Sequence, residues 1–236
     1  MGCPGRPGTT VGPVMWVQRA DERYRGGDEA GVDTRHAFSF SGFYDPDNVR
    51  FGLLVACNEE RLAPGAGFDS HPHRDLEIVT WVVTGELTHE DSTGQRTVVR
   101  AGDVQRLSAG SGVRHAERNT GTEPLRFVQM WLTPTRFGGQ PEYEVVRGIP
   151  DGTPYPLPHA EASLRVHRPA PGHPVALPDA PWLYVHVVHG TVGLAGETLA
   201  AGDSARVTDS ARLTAEAIGD GAGFLVWEMR GEPVYG

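Results

Sequence analysis

Short runs of apolar residues recur along the chain, and glycine, proline or polar residues separate them. Apolar positions at helical spacing are scarce, and the runs have the length of single β-strands. Strand-length runs with this punctuation predict an all-β protein, a sandwich or a barrel. The Thr-Gly pair at 93–94 favours a tight hairpin between two of them. The runs are RFGLLVAC, EIVTWVVTG, RTVVRAGDVQRL, RFVQMWLTP, WLYVHVVHGTVGL and FLVWEM.

The chain also repeats one local pattern. Residues 82–85 (VVTG) precede Ala-Gly-Asp at 101–103, and residues 187–190 (VVHG) precede Ala-Gly-Asp at 201–203. The repeat predicts two β-barrel units of one design. We assign 15–140 to the first unit, the Pro/Gly-rich segment 141–160 to a linker and 161–236 to the second unit. Residues 1–14 are interpreted as a disordered leader, with Met15 as an alternative start.

Two clusters at period-two spacing stand out within the first unit: His71-Pro72-His73 and His115-Ala116-Glu117. Side chains at i and i+2 of a strand point to the same face. Pro72 favours extended backbone at the residue before it. On adjacent strands, the two clusters would offer three imidazoles and one carboxylate to one point. This ligand set suits a first-row divalent metal with open coordination positions.

The second unit keeps the frame of the first but lacks these ligands. Counted from the Gly-Asp pair of each copy, the positions of His115 and Glu117 correspond to Ala215 and Ala217. No His-x-His precedes the second copy. We therefore expect a structural partner without a metal.

Composition and charge narrow the function classes. The net charge of -9 argues against nucleic acid as a direct ligand, because phosphate binding needs a basic face. All 21 basic residues are arginine, which excludes lysine-based catalysis. Neither Cys3 nor Cys57 has the spacing of a zinc or disulfide motif, and no apolar run is long enough to span a membrane. We expect a cytoplasmic protein that does not bind a membrane.

Two motifs carry a resemblance to a known family. The first cupin motif matches Gly65, His71, His73, Glu77 and Gly85, with one extra residue before the last glycine. The second matches Gly102, Gly110, His115 and Asn119, although Ser108 stands where proline is usual. More specifically, the chain resembles the pirin family. The runs that carry this resemblance are HAFSFSGFYDPDN, HPHRDLEIVTWVVTGELTHEDSTG and AGDVQRLSAGSGVRHAERN.

The resemblance implies a bicupin, two packed antiparallel β-barrels with metal in the N-terminal one alone. The family's ligands fall on His71, His73, His115 and Glu117. Iron(II) is our first choice of metal, with manganese, nickel, cobalt, copper and zinc as alternatives. Glu77 gives way to Glu117 and is expected to have a structural role. We expect His89, beside the predicted hairpin, to be solvated.

Some bacterial pirin-like proteins are similar to quercetin 2,3-dioxygenases, which open the central ring of a flavonol with O2 and release carbon monoxide. Under this hypothesis Glu117 is the general base, and Phe38, Phe40 and Met130 line an apolar substrate cavity. The main alternative is a non-enzymatic iron-binding regulator that responds to redox state through protein partners. A metal-dependent isomerase or sugar-modifying cupin is a third interpretation. We expect a monomer, since a packed bicupin covers most of its sheet edges.

Overall fold

The computed structural model describes residues 13–233 of the chain. Within this range, the regular structure comprises 19 β-strands and one 3-10 turn at Ala20–Glu22. The all-β prediction is therefore confirmed. No helix among these residues has the length and apolar character needed to cross a membrane.

The strands form three antiparallel sheets. The seven-stranded sheet contains β2 (Tyr24–Asp28), β3 (Val32–His36), β4 (Leu54–Leu62), β6 (Glu77–Thr84), β9 (Val104–Ser108), β11 (Leu125–Leu132) and β12 (Glu142–Val146). The four-stranded sheet contains β5 (Gly67–His73), β7 (Glu86–Asp91), β8 (Arg96–Arg100) and β10 (Val113–Arg118). The eight-stranded sheet contains β1 (Val14–Gln18), β13 (Tyr155–Pro156), β14 (Ala162–His167), β15 (Pro174–Ala176), β16 (Ala180–Leu194), β17 (Glu197–Ala200), β18 (Ser204–Ser210) and β19 (Thr214–Met229).

The first two sheets pack on each other and form the N-terminal unit. Leu62 and Phe127 of the seven-stranded sheet share a core with Leu87 and Val99 of the four-stranded sheet. The predicted hairpin joins β7 to β8, and residues 92–95 form its turn. The eight-stranded sheet forms the C-terminal unit, where register shifts in β16 accompany its pairing with β19.

Two segments cross the expected domain limits. β1 pairs with β18 and so joins the C-terminal sheet, although residues 15–18 were assigned to the first unit. The segment 141–160, expected as a linker, gives β12 to the first unit and β13 to the second. Of the predicted leader 1–14, residues 1–12 lie outside the described residues, and Val14 already begins β1.

The internal repeat is visible in the backbone hydrogen bonds. In the first copy the Gly102 amide donates to the Val82 carbonyl (2.9 Å), and the Val82 amide donates to the Asp103 carbonyl (3.1 Å). Both glycines of the repeat adopt positive φ, which a glycine tolerates without strain. The two units are therefore copies of one design. The matching bonds of the second copy run from Gly202 to Val187 (2.7 Å) and from Val187 to Asp203 (3.0 Å).

A shared apolar core holds the two units together. Phe38 and Met130 of the first unit lie in one buried cluster with Tyr184 and Trp227 of the second. The indole N–H of Trp227 points at the Met130 sulfur at 3.0 Å. Side chains alternate between the two faces of the sheet along β11, so Met130 points to the opposite face from its immediate neighbours and reaches this interface.

Met130→Ala should lower the free energy of unfolding by about 2–5 kcal/mol, since it leaves a cavity between the units. Val49→Ala is the control, because Val49 is 41% exposed and its truncation should cost less than about 0.5 kcal/mol. Urea unfolding measures both. Equal midpoints for the two variants would contradict a stabilising interface.

Candidate metal centre

Three histidines converge at the pairing of β5 with β10. His71 lies directly opposite His115 in the antiparallel register, and His73 lies two residues further along β5. Their ring centroids are 4.5 Å (His71–His115), 4.8 Å (His71–His73) and 4.9 Å (His73–His115) apart. One ligating nitrogen from each lies within 4.8 Å of the others. The structure thus brings together the three imidazoles that the sequence placed on adjacent strands.

The protonation state of these rings suits metal binding. Burial and the nearby His115 and His71 rings together lower the pKa of His73 to about 4. Burial also lowers the pKa of His115. Both rings are therefore neutral near pH 7, and a neutral imidazole has the lone pair that a metal needs.

Several ring nitrogens have no protein partner. His73 Nε2 and both nitrogens of His115 are buried without a hydrogen bond to any residue in 13–233. His71 Nδ1 contacts the Asp69 carbonyl oxygen at 2.7 Å, which assigns the hydrogen to Nδ1 and leaves Nε2 as the ligating atom. Orphaned buried nitrogens are costly unless something binds them. The donor set fits a divalent transition metal.

The fourth predicted ligand, Glu117, sits beside this triad. A carboxylate oxygen of Glu117 lies within 4.8 Å of ring nitrogens of His115 and His89. His115 is thus shared between this second group and the group of three histidines. Its two oxygens accept hydrogen bonds from the amides of Gln105 (2.6 Å) and Gln129 (2.7 Å). These bonds hold the carboxylate at the edge of the triad.

The environment of Glu117 keeps it ionised. Complete burial would raise its pKa, but electrostatic interaction with the neighbouring His115 and His89 rings and the Gln129 hydrogen bond outweigh burial. The pKa of Glu117 therefore lies below its ordinary value. An ionised, buried carboxylate can serve as a metal ligand or accept a proton.

The two glutamines are themselves oriented. The Tyr143 hydroxyl donates to Gln105 Oε1 (2.9 Å), and the Trp131 indole N–H donates to Gln129 Oε1 (3.0 Å). Because each amide oxygen is engaged, each amide nitrogen points toward the carboxylate. Neither glutamine was predicted from the sequence. Their available signal was a polar residue inside an otherwise buried strand, as in RFVQMWL.

The expectation that His89 is solvated is wrong. His89 lies opposite Glu117 in the β7–β10 register and so faces the barrel interior, fully buried. Its Nε2 is 3.0 Å from Asp91, and its ring stacks on Tyr143 at 4.4 Å between centroids. The hairpin turn begins only after Asp91, too late to expose it.

Glu77, the usual cupin glutamate, lies away from the triad. It accepts a hydrogen bond from Ser108 at 2.7 Å, in keeping with the expected structural role. Both residues line a separate cavity of about 290 Å³. Burial raises the pKa of Glu77.

The matching region of the C-terminal unit is filled with apolar side chains. Val175 pairs with Ala215 in the register that His71 and His115 occupy in the first unit. Ala217 is buried in the same core. Among the described residues, the candidate clusters for metal binding lie in the N-terminal unit alone.

A cavity of about 660 Å³ opens onto His71 of the triad and onto Glu117, and Phe40 is the one predicted liner in its wall. The placements of Phe38 and Met130 were wrong, since both face the C-terminal unit. Polar liners include His71, Glu117 and Gln129. The remaining liners are Arg25, Gly26, Gly27, Asp28, Val32, Thr34, His36, Ser41, Gly42, Phe43, Asn58, Glu60, Phe68 and Trp131.

A second carboxyl group, missed by sequence analysis, lines the same cavity. Glu60 on β4 is 4% exposed and is hydrogen-bonded to Thr34. Burial raises the pKa of Glu60 to about 8, and the nearby negative charge of Glu117 contributes. Near pH 7 this group is therefore protonated, in contrast to Glu117.

Two packed barrels of one design, with a histidine cluster in one of them, define a bicupin whose N-terminal unit contains the candidate metal site. The chain belongs to the pirin family. The family model described as Pirin matches residues 18–132, and the quercetinase C-terminal cupin domain matches residues 159–229.

Relatives and solved structures agree with this assignment. A Mycobacterium tuberculosis protein named "Putative quercetin 2,3-dioxygenase Rv0181c" is 42% identical over 219 residues, 84% of this chain and 88% of that one. The quercetin 2,3-dioxygenase of Escherichia coli K12 is 39% identical over 132 residues, 56% of this chain and 57% of that one. The E. coli pirin YhhW, solved in complex with nickel(II), superposes with a TM-score of 0.86 at 28% identity, covering 92% of this chain and 100% of its own.

His73→Ala should weaken metal binding by more than about tenfold, because it removes a neutral ligand from the triad. The control is His173→Ala, whose imidazole is exposed on the C-terminal unit. Nickel(II) titration followed by elemental analysis of dialysed protein measures the metal per chain. Unchanged stoichiometry and affinity in His73→Ala would place the metal elsewhere.

The contribution of Glu60 to the free energy of unfolding should fall as the pH rises from about 5 toward 8. The folded chain holds the Glu60 proton up to its raised pKa near 8, whereas the unfolded chain releases it near the ordinary glutamate value. Glu60→Gln removes this titration. Its stability relative to the native protein should therefore increase with pH, by about 1.4 kcal/mol per unit of pKa difference. Urea unfolding at several pH values tests this, and a constant difference would contradict it.

Proposed function

We propose that the chain is a metal-dependent dioxygenase of the quercetin 2,3-dioxygenase type, which opens the central ring of a flavonol with O2 and releases carbon monoxide. The observation that carries the proposal is the cavity, which brings aromatic walls to His71 of the histidine triad and to the ionised carboxylate of Glu117. The names of the mycobacterial and E. coli relatives support the same activity.

His71, His73 and His115 would hold the metal, and Glu117 would join them or remain beside them. Iron(II) is our first choice; manganese, nickel, cobalt, copper and zinc are alternatives that the same donors accept. When bound, a divalent transition metal supplies the positive charge that acidifies a substrate hydroxyl and a centre for O2 chemistry.

The protein supplies the base and the shape of the site. Glu117 accepts the hydroxyl proton at the second lone pair of a carboxylate oxygen that already accepts a hydrogen bond from one glutamine. The other glutamine keeps the group aimed at the substrate. A deprotonated flavonol is electron-rich, as reaction with O2 requires.

The walls of the cavity suit a flat aromatic ligand. Phe40 packs edge-on against Trp131 with 4.9 Å between ring centroids, and Phe68 and Phe43 add apolar surface. Aromatic walls exclude water from the reacting atoms and present faces for stacking. The fit supports a small planar substrate rather than a polymer.

Iron-loaded protein incubated aerobically with quercetin should consume quercetin and release carbon monoxide in equal molar amounts. The loss of flavonol absorbance measures the first quantity, and gas analysis measures the second. No turnover with any of the six metals would overturn the dioxygenase proposal.

Glu117→Gln should reduce turnover by about 10²- to 10⁴-fold, the usual contribution of a general base, while metal remains bound. Glu123→Gln makes the same charge change at an exposed position and is the control. Metal content and carbon monoxide release are measured on both. Full activity in Glu117→Gln would rule out the base assignment.

The alternative, an iron-binding regulator that signals redox state to protein partners, needs the triad but not the cavity. A cavity of about 660 Å³ that reaches the metal ligands favours an enzyme. Protein that binds iron reversibly but never consumes a flavonol would favour the regulator.

A further inference from the structure

We propose that Glu60 is a specificity-determining residue that hydrogen-bonds a second oxygen of the substrate while the first oxygen lies at the histidine triad. The inference deepens the proposed function and rests on it for the class of substrate. It implies that the preferred ligand is a polyhydroxylated aromatic, not a simple aromatic with one hydroxyl group.

The position of Glu60 supports this role. It lines the cavity together with His71 and Glu117 but lies on β4, in the sheet opposite the β5–β10 pair. Glu60 is opposite Phe127 on β11, two residues from Gln129, which binds Glu117. The two carboxyl groups therefore stand on different walls of one chamber.

The hydrogen bonding of Glu60 is incomplete. Among residues 13–233 its hydrogen-bond partner is Thr34, at Oε2. The Oε1 atom has no protein partner within the same residues. Oε1 is not among the fully buried unpaired atoms of these residues, so it is accessible from the cavity, where a hydrogen-bonding partner can reach it. The cavity side is where that partner would bind.

The protonation state decides what Glu60 can recognise. Burial and the charge of Glu117 raise the pKa of Glu60 to about 8. A neutral carboxyl group both donates and accepts, so it can pair with a phenolic hydroxyl group, which does the same. An ionised group in that place would accept only, and would repel a deprotonated substrate.

Two other polar groups near this wall are paired with each other. His36 Nδ1 lies 3.0 Å from Asn58 Oδ1, which joins the side chains of adjacent strands β3 and β4. Thr34 bonds to Glu60 itself. Glu60 is thus the carboxyl group on this wall with hydrogen-bonding capacity left for a ligand, beside the Asn58 amide nitrogen and His36 Nε2, which also line the cavity.

The test measures anaerobic binding of two flavonols to metal-loaded protein by fluorescence quenching. Quercetin has hydroxyl groups on both outer rings, whereas 3-hydroxyflavone has only the hydroxyl on the central ring. Glu60→Leu should lose about three- to tenfold in affinity for quercetin, the value of one neutral hydrogen bond, with little change for 3-hydroxyflavone. Glu60→Gln keeps a donor and an acceptor and should retain the native preference.

The matched control is Glu77→Gln together with Glu77→Leu. Glu77 is likewise buried with a raised pKa and one hydroxyl partner, but it lines the separate cavity. These variants should leave the ratio of the two affinities unchanged. An equal loss for both flavonols in Glu60→Leu, or an unchanged ratio, would overturn the assignment.

The outcome is separable from the fate of the proposed function, because binding is measured without O2. Native protein that prefers quercetin through Glu60 but never turns it over would retain the specificity role and reject the dioxygenase. Turnover of quercetin with no effect of Glu60→Leu on the affinity ratio would support the dioxygenase and reject the specificity role of Glu60. Failure of native protein to bind either flavonol would overturn the Glu60 assignment.

Discussion

The antiparallel pairing of β5 with β10 is the constraint on which the candidate site depends. Side chains alternate between the two faces of a strand, so a slip of one residue would turn His71 and His115 to opposite sides. The register shifts between His115 and Glu117, where Gly67 meets the Glu117 carbonyl. A Cβ on Gly67 would lie 2.3 Å from that oxygen, so the close approach requires glycine.

The two barrels show that one backbone design can enclose either an apolar or a polar interior. The C-terminal unit fills its chamber with apolar side chains such as Val175 and Ala215, and this packing stabilises it directly. The N-terminal unit keeps imidazoles, amides and carboxyl groups in the same place, and burying them is costly unless each finds a partner. The glutamine pair around Glu117 meets part of that demand. The unpartnered histidine nitrogens mark what a metal would complete.

The chamber also contains two carboxyl groups in opposite states. Glu117 is ionised because imidazole rings and amide donors surround it, whereas Glu60 is neutral because burial and a nearby negative charge dominate. When their environments give two carboxyl groups different pKa values, one site can both accept a proton and donate a hydrogen bond. The difference arises from neighbours on several strands, since both side chains are glutamate.

The sequence by itself determined the strands, the duplicated design and the candidate ligands, because these follow from period-two spacing and local turn residues. Only the tertiary structure decided which face of each strand borders the cavity. Met130 and Phe38 were misassigned for this reason: they are apolar and near the site in sequence, yet they point toward the other unit. His89 was misjudged because its burial comes from its pairing with Glu117. Such partners cannot be predicted from the local sequence, because they lie on strands that are distant in the chain.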